Sequence, residues 1–190
     1  LNKYPKHEKN IMHTLPETLN RFGSQHKIIK HYIDDLPPEA IHNRLDPVNW
    51  SIHETIAYLV RYQNLLMDRL HVILEEVDPY FSIYQPQEDP QFRCTASKTT
   101  GSLLHQLYRV REELLMMLEN LRPEQFARVG THGRLGRMNI PQWIEFFLLH
   151  EATQLFKIFK LAGSFWSMDN SRNNIIYLSN AKNVIDDLAG

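Results

Sequence analysis

Apolar residues recur at helical spacing in four long stretches of this chain, with polar residues filling the outer turns. In the first, Leu15, Leu19, Phe22, Ile29, Ile33 and Leu36 make one stripe, which predicts a helix from Thr14 to Leu36. Thr14 and Glu17 have capping-box spacing, Pro16 suits a first turn, and Pro37 and Pro38 stop it. The second helix is predicted from Ser51 to Val77, opened by the Ser51–Glu54 box. Its stripe of Ile52, Ile56, Leu59, Leu66, Leu70, Ile73 and Val77 stays within about 60° of one direction. The third runs from Thr100 to Leu121, with Leu103, Leu107, Val110, Leu114 and Leu118 inward. The fourth runs from Asn139 to Ala162 and closes at Gly163; Asn139 and Gln142 offer a cap, and Trp143, Phe147, Ile158 and Leu161 the stripe. Four amphipathic helices of about 20 residues describe an all-α four-helix bundle. No strand pattern or internal repeat competes with it before residue 163.

Two regions depart from this pattern. Residues 78–98 form a long loop between the second and third helices, with Pro79, Pro86 and Pro90 and four aromatic residues. It is either pinned over the bundle by those aromatics or a lid over a pocket. Beyond the bundle domain of residues 1–163 comes a C-terminal extension, 164–190. It starts polar, and a short helix at its end would dock on the bundle or on a partner.

Polar residues interrupt the apolar stripes. His26 and Gln63 fall near the centres of the first and second stripes; Arg111 lies in the third, and His150, Glu151 and Gln154 in the fourth. All sit near mid-helix, so a bundle brings them to one level. Unpaired, each buried polar group would cost about 1–3 kcal/mol, which requires a polar layer of mutual partners. It is either a structural network, with Glu151 first and Glu54 second as the partner of Arg111, or the lining of a binding site. His53, His71 and His105 lie off the stripes and read as surface residues.

Composition narrows the function. Lys plus Arg number 21 against 22 Asp plus Glu, a net charge of −1, so no basic footprint points to nucleic acid. Apolar runs such as Ile56 to Val60, none of them longer than five residues, are far too short to cross a membrane. A lone cysteine, Cys94, allows no intramolecular disulfide and no cysteine-based zinc site. The opening residues carry no signal-peptide core, and a cytoplasmic location is expected.

The stretch W-S-I-H-E-T-I-A-Y-L, Trp50 to Leu59, resembles the motif that opens the second helix of the DinB/YfiT-like family, a W-S-x-x-E-x-x-x-H-L pattern. The stretch F-F-L-L-H-E-A-T-Q, Phe146 to Gln154, resembles that family's fourth-helix H-x-x-x-H element. The resemblance implies a four-helix bundle, often dimeric, that holds a divalent metal through one histidine of the second helix and two of the fourth. Characterised relatives include thiol-dependent S-transferases and a mycothiol-dependent isomerase. Of the three ligand positions only His150 is matched; Tyr58 and Gln154 occupy the others. A phenol and a neutral amide are poor donors to zinc or nickel, so no cofactor is expected beyond a weakly held ion. The expected function is therefore a small-molecule-binding bundle, a homodimer, with pocket candidates Tyr58, Arg111, His150, Glu151 and Gln154. The alternative is a metal- or thiol-dependent transferase, isomerase or hydrolase, with His150 as base and Glu151 its charge partner.

Overall fold

Helix α1 spans Lys6–Ser24 and so begins before Thr14, with Pro16 in its interior rather than in its first turn. The structure is a computed structural model that describes the backbone of residues 6–188 and the side chains of residues 15–166. The cap expected at Thr14 therefore lies outside the described side chains. A 3-10 turn at Gln25–Lys27 divides α1 from α2, Ile28–Ile33, so the first predicted helix is two α segments joined by that turn. Gly23, just before the turn, would place a Cβ 3.2 Å from Leu115, which shows how closely the chain passes there. A short α3, Pro38–His42, follows the double proline.

Helix α4 spans Ile52–Glu75 and starts as its sequence predicts. The Ser51 hydroxyl accepts from the Glu54 N–H at 3.2 Å, and the Glu54 carboxylate accepts from the Ser51 N–H at 2.9 Å. Two donors of the first turn are thereby satisfied. After it come strand β1, Tyr80–Phe81, a 3-10 turn at Pro86–Glu88, and helix α5, Pro90–Ala96. Helix α6 spans Thr100–Glu119 behind a Thr99 cap, and α7 is the short Pro123–Phe126. The last helix, α8, spans Ile140–Leu188. Asn139 and Gln142 cap it reciprocally, at 2.9 and 3.1 Å. It does not stop at Gly163, where no left-handed residue turns the chain away. The separate terminal helix is thus the continuation of α8, and the docking expected of its side chains lies outside the described residues.

The chain is mostly helical, with one small sheet that the periodicity does not announce. Strands β2, Val129–His132, and β3, Gly136–Asn139, form an antiparallel hairpin, and β1 pairs parallel to β2, Tyr80 opposite Thr131. A Cβ on Gly130 would meet Ile73 at 2.8 Å and Phe81 at 2.9 Å, so only glycine lets β2 press against α4.

The bundle of α1–α2, α4, α6 and α8 holds two apolar clusters. One gathers Phe22, Leu66, Leu70, Leu114, Trp143 and Phe147; the other gathers Ile29, Ile33, Ile56, Leu103, Leu107 and Ile158. Between them lies the polar level formed by His26, Gln63, Arg111, Glu151 and Gln154, all buried.

Candidate functional site

Arg111 organises the polar level. Its guanidinium is 1% exposed and forms an ion pair with Glu151, which is 0% exposed. Arg111 Nε donates to Gln63 Oε1 at 2.7 Å, and Nη1 donates to the Phe22 carbonyl at 2.6 Å. Gln25 Nε2 adds a bond to Glu151 Oε2 at 3.0 Å, and Gln63 Nε2 donates to the Leu107 carbonyl at 2.7 Å. Phe22 and Phe147 stack their rings against the guanidinium carbon at 4.4 and 5.0 Å. Glu151 is thus the partner, and Glu54 is engaged elsewhere, accepting from Arg44 Nε at 2.8 Å. The hydrogen-bonding capacity of Arg111 and Glu151 is spent inside the protein, which suits a structural network. His26, in the same level, is 2% exposed and its Nδ1 has no partner. Burial, then the charges of Arg111 and Lys27, lower its pKa to about 3.

The remaining candidates lie toward the α4–α8 seam. Tyr58 is buried, and its hydroxyl is hydrogen-bonded to His150 Nε2 at 2.9 Å. Tyr62 stacks on the same imidazole, ring centres 4.2 Å apart. Burial, with the neighbouring Tyr62, pushes the Tyr58 phenol well above its usual range. Burial, then Lys157, lowers the His150 pKa to about 4, so both members of the pair are neutral at pH 7. Gln154, one turn further on, accepts from Lys157 Nζ at 3.2 Å.

The segment between α4 and α6 closes over this seam. Tyr84 and Phe92 bring their rings to 6.0 and 6.3 Å from Tyr58, and Trp50 packs at 5.0 Å. Asp89 ties the segment down: it accepts from Arg61 Nε at 2.7 Å, from the Tyr84 hydroxyl at 2.8 Å and from the Gln91 N–H at 2.9 Å. Phe81, Tyr84 and Phe92 pin the loop, as one of its two readings requires, and the last two also cover Tyr58, while Tyr80 stands exposed.

His53 is not the surface residue that its phase implies. It is 6% exposed, with Nδ1 2.9 Å from Thr100 Oγ1 and Nε2 2.9 Å from the Ala96 carbonyl, and His42 stacks on it at 4.4 Å. The corner between α5 and α6 folds over the outer face of α4 and buries it. His71 and His105 are exposed as expected. Sequence reasoning did not single out Tyr62, Gln25, Arg69 or His132. A signal existed for two of them: Tyr58, Tyr62 and Arg69 fall within about 40° of one another on α4.

The profile of the DinB superfamily matches residues 21–155. The chain belongs to the DinB superfamily. Among solved structures it is similar to YfiT from Bacillus subtilis, described as a probable metal-dependent hydrolase with an unusual four-helix bundle topology. That similarity has a TM-score of 0.66 at 12% identity and covers 87% of this chain and 91% of that one. An uncharacterized protein from Clostridium difficile 630 is similar at a TM-score of 0.52 and 12% identity, over 87% of this chain and 98% of that one. At such identities the likeness is one of fold. No curated protein matches the sequence. Among the described residues, no helix is long and apolar enough to cross a membrane.

Tyr58, His150 and Gln154, which the sequence resemblance sets at the family's ligand positions, do not fit zinc or nickel. Tyr58 and His150 spend a hydrogen bond on each other, and Gln154 offers only an amide. Among the described residues, no three His, Cys, Asp or Glu side chains converge where an ion could sit. Soft to borderline divalent ions require imidazole, thiolate or carboxylate donors in such a site.

Proposed function

We propose that this DinB-superfamily protein binds a small molecule at the α4–α8 seam, where a neutral Tyr58–His150 pair occupies the place of metal ligands. The observation that carries the reading is the 2.9 Å bond between Tyr58 Oη and His150 Nε2, walled by Tyr62, Tyr84, Phe92 and Trp50. Aromatic walls with a few polar groups are what small-ligand sites commonly present. The phenol and imidazole can each accept or donate one hydrogen bond to a neutral polar ligand without a change of charge. Arg111 and Glu151, by contrast, hold the bundle together.

The quaternary and cellular parts of the reading are a homodimer in the cytoplasm. Leu149, Phe156 and Phe159 stand exposed on α8 and would supply apolar surface for such a contact. Light scattering of the purified chain measures the dimer directly.

The binding reading is tested by a thermal-shift screen of small polar molecules, low-molecular-weight thiols and divalent ions against wild type and Tyr58→Phe. A ligand whose stabilisation falls in Tyr58→Phe supports it. Wild-type protein, purified without chelator or histidine tag and holding one ion per chain, would instead favour a metal-dependent hydrolase like the one described for YfiT.

A further inference from the structure

Helix α8 outruns the bundle that it belongs to. Helices α4 and α6 run against it: Tyr58 meets His150, Tyr62 stacks on Phe147, and Arg111 pairs with Glu151. Helix α2 runs with it, from Gln25 at the Leu148 carbonyl to Tyr32 at Phe159. All rise by about 1.5 Å per residue. The starts of α4 and α6, at Ile52 and Thr100, and the end of α2, at Ile33, therefore fall level with about residues 156–162 of α8. Helix α8 continues to Leu188, about 26 residues or 39 Å further.

Within the bundle, one face of α8 is uncovered. Leu149, Phe156 and Phe159 are 61%, 60% and 43% exposed, with Ala152 exposed among them and Lys157 and Lys160 beside them. At helical spacing the four apolar residues lie within about 50° of one direction. Beyond Trp166 the sequence repeats the pattern: Tyr177, Ala181, Val184 and Leu188 fall in the same sector. Leu149, Phe156, Gly163, Asn170, Tyr177 and Val184 follow one another at seven-residue intervals, the heptad spacing of helices that pair lengthwise. Asn170, mid-way, is a polar heptad residue of the kind that fixes register. A continuous helix cannot fold back on its own face, so a second chain is needed to bring the two halves of this stripe together.

We propose that residues 167–188 of one copy lie antiparallel along Leu149, Phe156 and Phe159 of a second copy, the two α8 helices crossing at a two-fold axis near Met168. In the heptad register, residue numbers that face each other sum to about 336. Tyr177 then faces Phe159, Val184 faces Ala152, Ala181 lies beside Phe156, and Leu188 reaches Leu149. A two-fold contact is self-complementary, so both uncovered faces are covered at once. Charge favours this direction. A parallel pair would set Lys157 and Lys160, and likewise Asp186 and Asp187, against their own copies, whereas the antiparallel pair keeps like charges apart. The proposal rests on the homodimer reading and deepens it, since the copies exchange arms rather than meet through bundle faces alone. It is independent of the Tyr58–His150 site.

The test measures the mass of the full chain by light scattering over a range of concentrations. Tyr177→Glu should raise the dimer dissociation constant at least about a hundredfold, because the two-fold repeats the buried charge at both ends of the contact. Phe159→Lys should do the same, and the two together should recover at least about tenfold, since each new cation faces a new anion of the other copy. Direction is read by oxidation in a Cys94→Ser background. Phe159→Cys with Tyr177→Cys should give a covalent dimer, and Tyr177→Cys alone should not, because the two copies of that position lie about 27 Å apart along the pair. A dimer indifferent to Tyr177→Glu, or one cross-linked by Tyr177→Cys alone, overturns the exchanged arms and leaves the homodimer reading standing. A monomeric wild type overturns both and leaves the face to another partner. Should Phe159→Lys lose its helical circular dichroism, Tyr177→Glu and the cross-links decide the matter.

Discussion

Replacing Arg111 by methionine would remove the centre of the polar level while keeping most of its side-chain volume. The Glu151 carboxylate, 0% exposed, would keep Gln25 Nε2 at 3.0 Å as its remaining described side-chain donor. Removing one partner of a buried ion pair costs about 3–5 kcal/mol, because the other charge is left uncompensated. Gln63 Oε1 and the Phe22 carbonyl would lose donors at 2.7 and 2.6 Å as well. Stranded acceptors add to the loss, so about 4 kcal/mol or more is expected, against a typical domain stability of about 5–15 kcal/mol. Urea unfolding followed by far-ultraviolet circular dichroism measures it. The double variant Arg111→Met with Glu151→Leu removes the stranded charge and should recover more than half of the loss, since buried pairs exchange for apolar residues at little cost. The reasoning is refuted by a single-variant loss under about 1 kcal/mol, or by a double variant no more stable than the single one.

Three further outcomes are expected. Phe147→Ala should cost about 3–5 kcal/mol in the same assay, because its side chain is 1% exposed and packs edge-on against Phe22 at 5.6 Å; a loss under about 1 kcal/mol would contradict that packing. His26 is held at about 3 instead of 6.5, so below pH 6.5 the unfolded chain binds a proton that the folded one refuses. Stability should therefore be whole above that range and fall as pH drops toward 3, and His26→Leu should flatten the fall in melting temperature between pH 7 and 4; an identical slope in both proteins would rule it out. Finally, Tyr58→His with Gln154→His should create a three-imidazole set with His150, because Tyr58 already reaches His150 Nε2 at 2.9 Å. The variant should gain zinc or nickel binding and a melting temperature raised by the ion, measured by calorimetry and thermal shift; no gain over wild type would show that the ligand positions are wrongly mapped.

What the sequence made legible were features that short-range chemistry decides. The caps at Ser51–Glu54 and Asn139–Gln142 involve residues three apart, and both form as read. The polar level was legible because phase alone puts Gln63, Arg111 and Glu151 on inward faces. The hairpin was not: V-G-T-H and G-R-M-N lack the alternation of a half-buried strand. Its pairing with Tyr80 and Phe81 is a contact between distant segments. Gly163 misled for a related reason, since a glycine ends a helix only where the chain takes a left-handed turn, and here it does not. The same division runs through the site. The centre of the α4 stripe, Ile56, Leu59, Leu66 and Leu70, is consumed by the core. Tyr58, Tyr62 and Arg69 occupy its flank, and the connecting segments lay Tyr84 and Phe92 over Tyr58, Tyr84 over Tyr62, and Phe81 over Arg69. Those segments have no period of their own, so helical phase could not announce that the flank is covered. The proposed pair straddles that division: His150 lies on the α8 stripe, where phase announces it, and its partner Tyr58 lies on the α4 flank, where only the covering segments decide its burial.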